Sequence, residues 1–128
     1  MLSIEATKSS PRVEYLASDN VLSITGESYP ENSFEFFAPV FSWLREQLPK
    51  LDTLIFQVHI RYMNSSSTKC MLDILDLLSE QAQAGTLVRV RWYYDAGNER
   101  ALDLAEEFKE DLEIPFDIVP LEPGEAYR

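Results

Sequence analysis

The chain has 128 residues, of which 45% are hydrophobic and 26% charged, and its formal net charge is −11. This length suits a single domain, residues 1–128, with one hydrophobic core, and the composition excludes a disordered chain. The negative charge disfavours nucleic acid and anionic membrane surfaces as partners, because both select basic proteins. The acidity instead favours solubility or contact with a basic partner protein.

Targeting features indicate the cytoplasm. No hydrophobic stretch approaches the roughly 20 residues that span a bilayer, and residues 1–19 lack the hydrophobic run of a signal peptide. Cys70 is the only cysteine, so an internal disulfide cannot form, as is typical of a reducing compartment. We therefore expect a cytoplasmic protein.

The first predicted elements are a hairpin and a helix. Hydrophobic runs at 13–18 and 21–26 are separated by Asp19-Asn20, which is typical of a β-hairpin. Asn32 is a predicted cap for the helix that follows. Spacings of three and four predict two hydrophobic rows on this helix, one of Phe34, Phe37, Phe41, Leu44 and Leu48 and one of Phe36, Val40 and Trp43.

Strands and helices alternate through the rest of the chain. Residues 52–63 and 87–94 show the two-residue period of strands, and 114–121 is a last strand. One helix begins shortly after Met63 and ends near Gly85, and another covers 98–112. The order ββαβαβαβ predicts an α/β fold, with a mixed, mostly parallel sheet and right-handed crossovers.

Catalytic signatures are missing from the sequence. It has no P-loop, no nucleophile elbow and no dinucleotide-binding glycine motif, and one His with one Cys cannot form a usual zinc site. His59 is expected to be a satisfied or surface imidazole, and Cys70 a small buried residue. We expect no catalytic residue, no metal and no cofactor. The alternative is a small enzyme with a Ser or Cys70 nucleophile, which would need a base near the helix start.

A run of hydroxyls lies between the strand 52–63 and the next helix, where the chain reads Asn64-Ser65-Ser66-Ser67-Thr68. Asn64 or Ser65 can cap this helix, but capping explains only one hydroxyl of the run. A phosphate attached to one of them would lie at the positive end of the helix dipole, near free N–H groups. Capping and phosphorylation are both open readings of the run.

Hydroxyls that start a helix after the third strand of a ββαβαβαβ domain resemble the phosphorylation loop of STAS domains, which include the anti-sigma-factor antagonists. Those proteins show Asp-Ser-Ser-Gly at this junction, whereas this chain has no Gly there. The sequence is more similar to the SiaC family of bacterial regulatory phosphoproteins. The similar stretches are GESYPENSFEFF (26–37), YMNSSSTKCMLDILDLL (62–78) and RWYYDAGNERALDLAEEF (91–108).

The resemblance to the SiaC family implies a non-catalytic, STAS-like signalling protein. A SiaB-type Ser/Thr kinase phosphorylates the hydroxyl after the Asn, here Ser65, and a PP2C-type phosphatase removes the phosphate. The unphosphorylated form activates a diguanylate cyclase with a GGDEF domain, which raises cyclic di-GMP and favours biofilm. The alternative acceptors are Ser66, Ser67 and Thr68. The predicted partner-binding residues are Asn64, Ser66, Lys69, Tyr29, Glu31 and Asn32.

Two other functions remain open beside this switch and the small enzyme. One is partner switching of the anti-sigma-factor-antagonist type, with a different target protein. The other is a structural or ligand-binding module that is never phosphorylated.

Overall fold

Six β-strands lie side by side in chain order in one mixed sheet of the computed structural model, which describes residues 2–127. The strands are β1 (Ser3–Ile4), β2 (Arg12–Leu16), β3 (Val21–Ser28), β4 (Thr53–Met63), β5 (Leu87–Asp95) and β6 (Phe116–Leu121). The α-helices are α1 (Ser33–Gln47), α2 (Ser65–Gln83) and α3 (Glu99–Glu110), and a 3-10 turn, Leu48–Lys50, extends α1.

The order predicted from the sequence is confirmed from the hairpin onward, with small shifts in the ends of α3 and β6. The first three strands pair antiparallel, and β3, β4, β5 and β6 pair parallel in succession. The mixed, mostly parallel sheet is therefore confirmed. Strand β1 was not predicted, because two residues are too few to show a two-residue period.

All three helices lie on one face of the sheet. Each connects two adjacent parallel strands in the same direction, and right-handed crossovers of that kind place their helices on the same side. Tyr15 of β2 packs on Trp43 of α1 with ring centres 4.6 Å apart, and Trp92 of β5 lies 5.0 Å from Phe108 of α3. The hydrophobic core therefore occupies the space between this face and the helices.

Central strands β3, β4 and β5 supply the sheet side of the core. Leu22 pairs with Phe56, and Phe56 pairs with Val90, and all three side chains are fully buried. The predicted alternation of β4 and β5 is confirmed on this face. It fails beyond Ile60, because the register of β3 and β4 shifts there and Arg61 is an extra residue. Tyr62, predicted to share the buried face, is consequently 54% exposed.

Helix α1 buries a different stripe from either predicted row. Phe37, Val40 and Leu44 are buried and so combine members of both rows, whereas Phe34 is 57% exposed. Helix α1 packs against α2 as well as the sheet, so its buried face is set by two neighbours at once. Phe34 lies over the groove between the two helices, which Leu77 also lines.

The opposite face of the sheet is mainly polar. One row across five strands is formed by Glu14, Ser23, Gln57, Arg91 and Asp117. His59 lies on this face beneath Tyr127: its Nδ1 is 2.8 Å from the Tyr127 hydroxyl and its Nε2 is 2.9 Å from Asp95 Oδ1. The expectation of a satisfied imidazole is confirmed.

Among residues 2–127, no helix combines the length and the hydrophobicity needed to cross a bilayer.

We predict that Phe56→Ala lowers the free energy of unfolding by about 3–5 kcal/mol, because it opens a cavity in the centre of the core. Gln57→Ala, the neighbouring change on the polar face, is the matched control and should cost less than about 1 kcal/mol. Urea denaturation of both variants measures the difference. Equal losses would contradict a core confined to one side of the sheet.

Candidate functional site

Strand β4 ends at Met63, Asn64 is the capping residue, and helix α2 begins at Ser65. The side-chain oxygen Oδ1 of Asn64 accepts a hydrogen bond from the backbone N–H of Ser67 at 2.9 Å. The N–H of Asn64 donates to the carbonyl of Ser28 at 2.9 Å, which ties the cap to the end of β3. Of the two capping residues that the sequence allowed, Asn64 is the one used.

Two hydroxyls of the run are bonded to serines of other elements. Ser67 is buried, and its Oγ lies 2.7 Å from Ser28 Oγ and 3.1 Å from Ser33 Oγ. Ser66 Oγ lies 2.8 Å from Ser33 Oγ and donates to Asn64 Oδ1 at 3.2 Å. These five residues, Ser28, Ser33, Asn64, Ser66 and Ser67, form what we call the serine network. It joins the end of β3 and the starts of α1 and α2.

Ser28 and Ser33 were not predicted as site residues. Ser28 is the last residue of β3 and Ser33 the first of α1, and both are buried. They are more than thirty positions from Ser67, as their bonds of sequence separation 39 and 34 show. Only their place in the stretch 26–37, which resembles the SiaC family, could have drawn attention to them.

The other two hydroxyls differ from each other. Thr68 Oγ1 donates to the backbone carbonyl of Asn64 at 3.0 Å, inside its own helix. Ser65 is exposed, and its hydroxyl has no hydrogen bond to any residue in the described range 2–127. Ser65 is therefore the one hydroxyl of the four that a modifying protein can reach without breaking a bond within the described structure.

The other predicted partner-binding residues lie at the start of α1, in the first turns of α2 and at the end of β3. Asn32 caps α1, as predicted, by accepting from the N–H of Glu35 at 3.1 Å, and Glu31 beside it is exposed. Lys69 lies one turn into α2 and pairs with Asp73 at 3.3 Å. Tyr29 lies against Tyr62 with ring centres 5.8 Å apart.

Two exposed tyrosines lie together beside the start of α2. Tyr29 directly follows β3, Tyr62 is the penultimate residue of β4, and their ring centres are 5.8 Å apart. Both are at least 36% exposed, and Phe34 on α1 and Leu72 on α2 are exposed as well. Asn64 follows Tyr62 by two residues, so this hydrophobic surface adjoins the start of α2. Large exposed hydrophobic side chains that lie together are typical of protein–protein contact sites.

The residues considered as nucleophile and base do not form a catalytic pair. Cys70 is fully buried, and desolvation raises the pKa of its thiol, with the nearby Asp73 carboxylate adding to the rise. Both ring nitrogens of His59 are bound, to Tyr127 and Asp95, so neither is available to a serine. The described residues also contain no group of three or more His, Cys, Asp or Glu side chains placed to bind a metal.

The mixed sheet with its helices and the exposed hydroxyl at a helix start define a domain of STAS-like fold whose candidate site lies at the start of α2. Residues 4–121 match the sequence model of the SiaC family regulatory phosphoprotein. The chain therefore belongs to the SiaC family of regulatory phosphoproteins, as its three motifs predicted.

Solved structures from Pseudomonas aeruginosa are similar over nearly the whole chain. One is the crystal structure of the diguanylate cyclase SiaD in complex with its activator SiaC; the matching chain is 43% identical, with a TM-score of 0.90, over 94% of this chain and 100% of that one. Another is apo-SiaC, 42% identical with a TM-score of 0.85 over 92% of this chain and 97% of that one.

An uncharacterized protein of P. aeruginosa strain UCBPP-PA14 is 45% identical over 118 residues, which are 91% of this chain and 94% of that protein.

We predict that Ser67→Ala lowers the free energy of unfolding by about 1–3 kcal/mol, because it leaves the buried hydroxyl of Ser28 without its partner. Ser65→Ala, two residues earlier, should change it by less than about 0.5 kcal/mol, since its hydroxyl is exposed. Chemical denaturation of the two variants side by side measures both values. A cost for Ser65→Ala that matches that of Ser67→Ala would contradict the assignment of Ser65 as the free hydroxyl.

Proposed function

We propose that this chain, residues 1–128, acts in the cytoplasm as a single non-catalytic signalling domain that is switched by reversible phosphorylation of Ser65. In its unphosphorylated form it binds and activates a diguanylate cyclase with a GGDEF domain, and so raises cyclic di-GMP and favours biofilm. A SiaB-type Ser/Thr kinase adds the phosphoryl group, and a PP2C-type phosphatase removes it.

The observation that carries the proposal is the difference between Ser65 and the three hydroxyls that follow it. Ser65 is exposed and its hydroxyl is not hydrogen-bonded to any residue that the structure describes, whereas Ser66, Ser67 and Thr68 are each held by hydrogen bonds. A kinase can take Ser65 into its active site with the serine network intact. Modification of Ser67 would instead require the buried contact between α1 and α2 to open.

The phosphorylation cycle makes and breaks one covalent bond of this chain, at the Ser65 hydroxyl. The Ser65 Oγ–P bond forms as the bond from the γ-phosphorus of ATP to its bridging oxygen breaks, the hydroxyl proton passes to a base of the kinase, and ADP leaves. Hydrolysis by the phosphatase restores the hydroxyl and releases inorganic phosphate. Each cycle adds and removes about −1.5 to −2 charges at one surface position.

A dianion at this position is well placed to control a protein contact. The first turn of α2 adjoins the exposed side chains of Tyr62 and its neighbour Tyr29, which a partner would have to desolvate. Burying a phosphate in such an interface costs free energy, because a charge loses its water. The helix dipole stabilises the phosphate in the free protein, and this stabilisation adds to the free energy that binding of the partner must supply.

The cyclase as target is supported by the relative of known assembly. The P. aeruginosa SiaC that forms a complex with the diguanylate cyclase SiaD shares the fold at a TM-score of 0.90. The exposed surface formed by Tyr29 and Tyr62 beside the start of α2 is the docking surface that we propose for the cyclase. Asn64, Ser66, Lys69, Glu31 and Asn32 frame it as the predicted partner-binding residues.

We predict that Ser65→Ala keeps full cyclase activation in the presence of kinase and ATP, whereas Ser65→Asp lowers it at least about tenfold, a loss of 1.4 kcal/mol or more in binding. Ser65→Asn has nearly the shape of Ser65→Asp without its charge and is the matched control, so it should activate like the unmodified protein. Cyclic di-GMP production by the purified cyclase, titrated with each variant, measures the effect.

Equal activation by all three variants would contradict the switch. Normal phosphorylation of Ser65 by the kinase without any binding to the cyclase would keep the switch but assign it a different target, as in the anti-sigma-factor antagonists.

A further inference from the structure

A cavity of about 650 Å³ opens beside Ser65, on the side of α2 away from the serine network. Ser65 and Thr68 of α2 form one wall, and the first turn of α3, with Asn98 and Arg100, forms another. The end of β4 closes it and contributes Arg61. The candidate phosphorylation site therefore lies at the rim of a concave surface that belongs to the same chain.

Two helices present their N-termini to this cavity. Helix α2 starts at Ser65, and α3 starts directly after its cap, Asn98, whose Oδ1 accepts from the N–H of Ala101 at 3.1 Å. The partial positive charges of both helix dipoles therefore lie at its walls. The first N–H groups of α2 have no acceptors inside the helix, and the side chain of Asn64 accepts only the one of Ser67.

Two arginines add full positive charges to the walls. Arg100 is exposed and has neither a hydrogen bond nor an ion pair with any residue in the described part of the chain. Arg61 contacts Asp95 at 3.3 Å, but His59 binds the other oxygen of the same carboxylate. Arg100 is thus the guanidinium that can turn to a new anion without giving up a partner in the described structure.

We propose that this cavity is an intramolecular phosphate-binding site, in which Arg100, assisted by Arg61, binds the phosphoryl group carried by Ser65. The inference rests on the proposed function, because it takes Ser65 as the acceptor. Arginine suits the role, since its planar guanidinium donates two parallel hydrogen bonds to phosphate oxygens. The bound phosphate links the first turns of α2 and α3.

Neighbouring charges restrict where the phosphate lies. Asp103 and Glu107 line the same cavity further along α3, and both repel a dianion. The phosphate is therefore held at the Arg100 end of the wall. Lys69 is nearer to Ser65 in sequence, but it does not line the cavity and is paired with Asp73 at 3.3 Å.

Phosphorylation of Ser65 would therefore do more than add a repelling charge to the surface. With its phosphate bound by Arg100, the start of α2 is linked to α3, and the phosphate occupies the Arg100 end of the cavity. A partner that uses the unphosphorylated surface would thus meet a change of shape as well as a change of charge.

The test uses the full-length protein with phosphoserine incorporated at position 65 by genetic encoding, so that neither kinase nor cyclase is needed. A ³¹P NMR titration across the second phosphate pKa, which is about 6 in a free phosphoserine, reports its electrostatic surroundings. We expect Arg100→Gln to raise this phosphate pKa by about half a unit or more, because a nearby guanidinium favours the dianion. Arg61→Gln should raise it less.

Lys109→Gln is the matched control, because it removes one exposed positive charge from the last turn of α3, far from the Arg100 end, and should leave the phosphate pKa within a few tenths of a unit of the parent value. Equal shifts for Arg100→Gln and Lys109→Gln, or no shift for Arg100→Gln, would overturn the proposal. All three positions are exposed, so circular dichroism should confirm intact folds. If Arg100→Gln raises the phosphate pKa as expected but the protein does not regulate the cyclase, the proposed function is refuted and the phosphate site stands.

Discussion

The candidate site depends on the hydrogen bond between Ser67 and Ser28, and on the serine network around it. These buried hydroxyls fix the start of α2 against the start of α1 and the end of β3. Buried polar groups must be paired, because each unpaired one loses its water without compensation. The network therefore sets the position at which α2 begins, and this position leaves Ser65 at the surface, with no hydrogen bond from its hydroxyl to residues 2–127.

Fixing the helix start in this way separates bonded hydroxyls from an exposed one within four consecutive residues. Ser66, Ser67 and Thr68 hold the helix in place through hydrogen bonds, whereas the Ser65 hydroxyl has no such bond within the described residues. An attached phosphate would act on a rigid site, since α2 is anchored on both sides of the modified residue by Asn64 and Ser67. A change of charge at such a site is passed to a partner and is not absorbed by local refolding.

The one-sided arrangement of the sheet determines which surfaces are free. All helices cover one face, so the starts of α1, α2 and α3 and the ends of β3 and β4 meet at one edge of the molecule. Capping side chains, exposed aromatic residues and the cavity with Arg61 and Arg100 are gathered there. On an otherwise acidic chain, with a net charge of −11, this edge is where helix dipoles and Arg100, which has no ion pair among the described residues, favour an anion. The opposite face instead carries the polar row and the Tyr127 contact with His59.

The sequence by itself determined the order of the elements from the hairpin onward, the parallel centre of the sheet and the membership of the SiaC family, because these follow from local periodicity and short motifs. It also placed the candidate hydroxyls at a helix start. The family resemblance put Ser65 first among them, but the sequence could not show which of the four hydroxyls are held by hydrogen bonds, nor find Ser28 and Ser33. The tertiary structure decides which are held, because Ser66 and Ser67 are bonded to serines more than thirty residues away. The same reason explains why Phe34 and Tyr62 are exposed although both have the sequence spacing of core residues. Phe34 lies over the groove between α1 and α2. Tyr62 follows the extra residue of β4, which shifts the register of that strand.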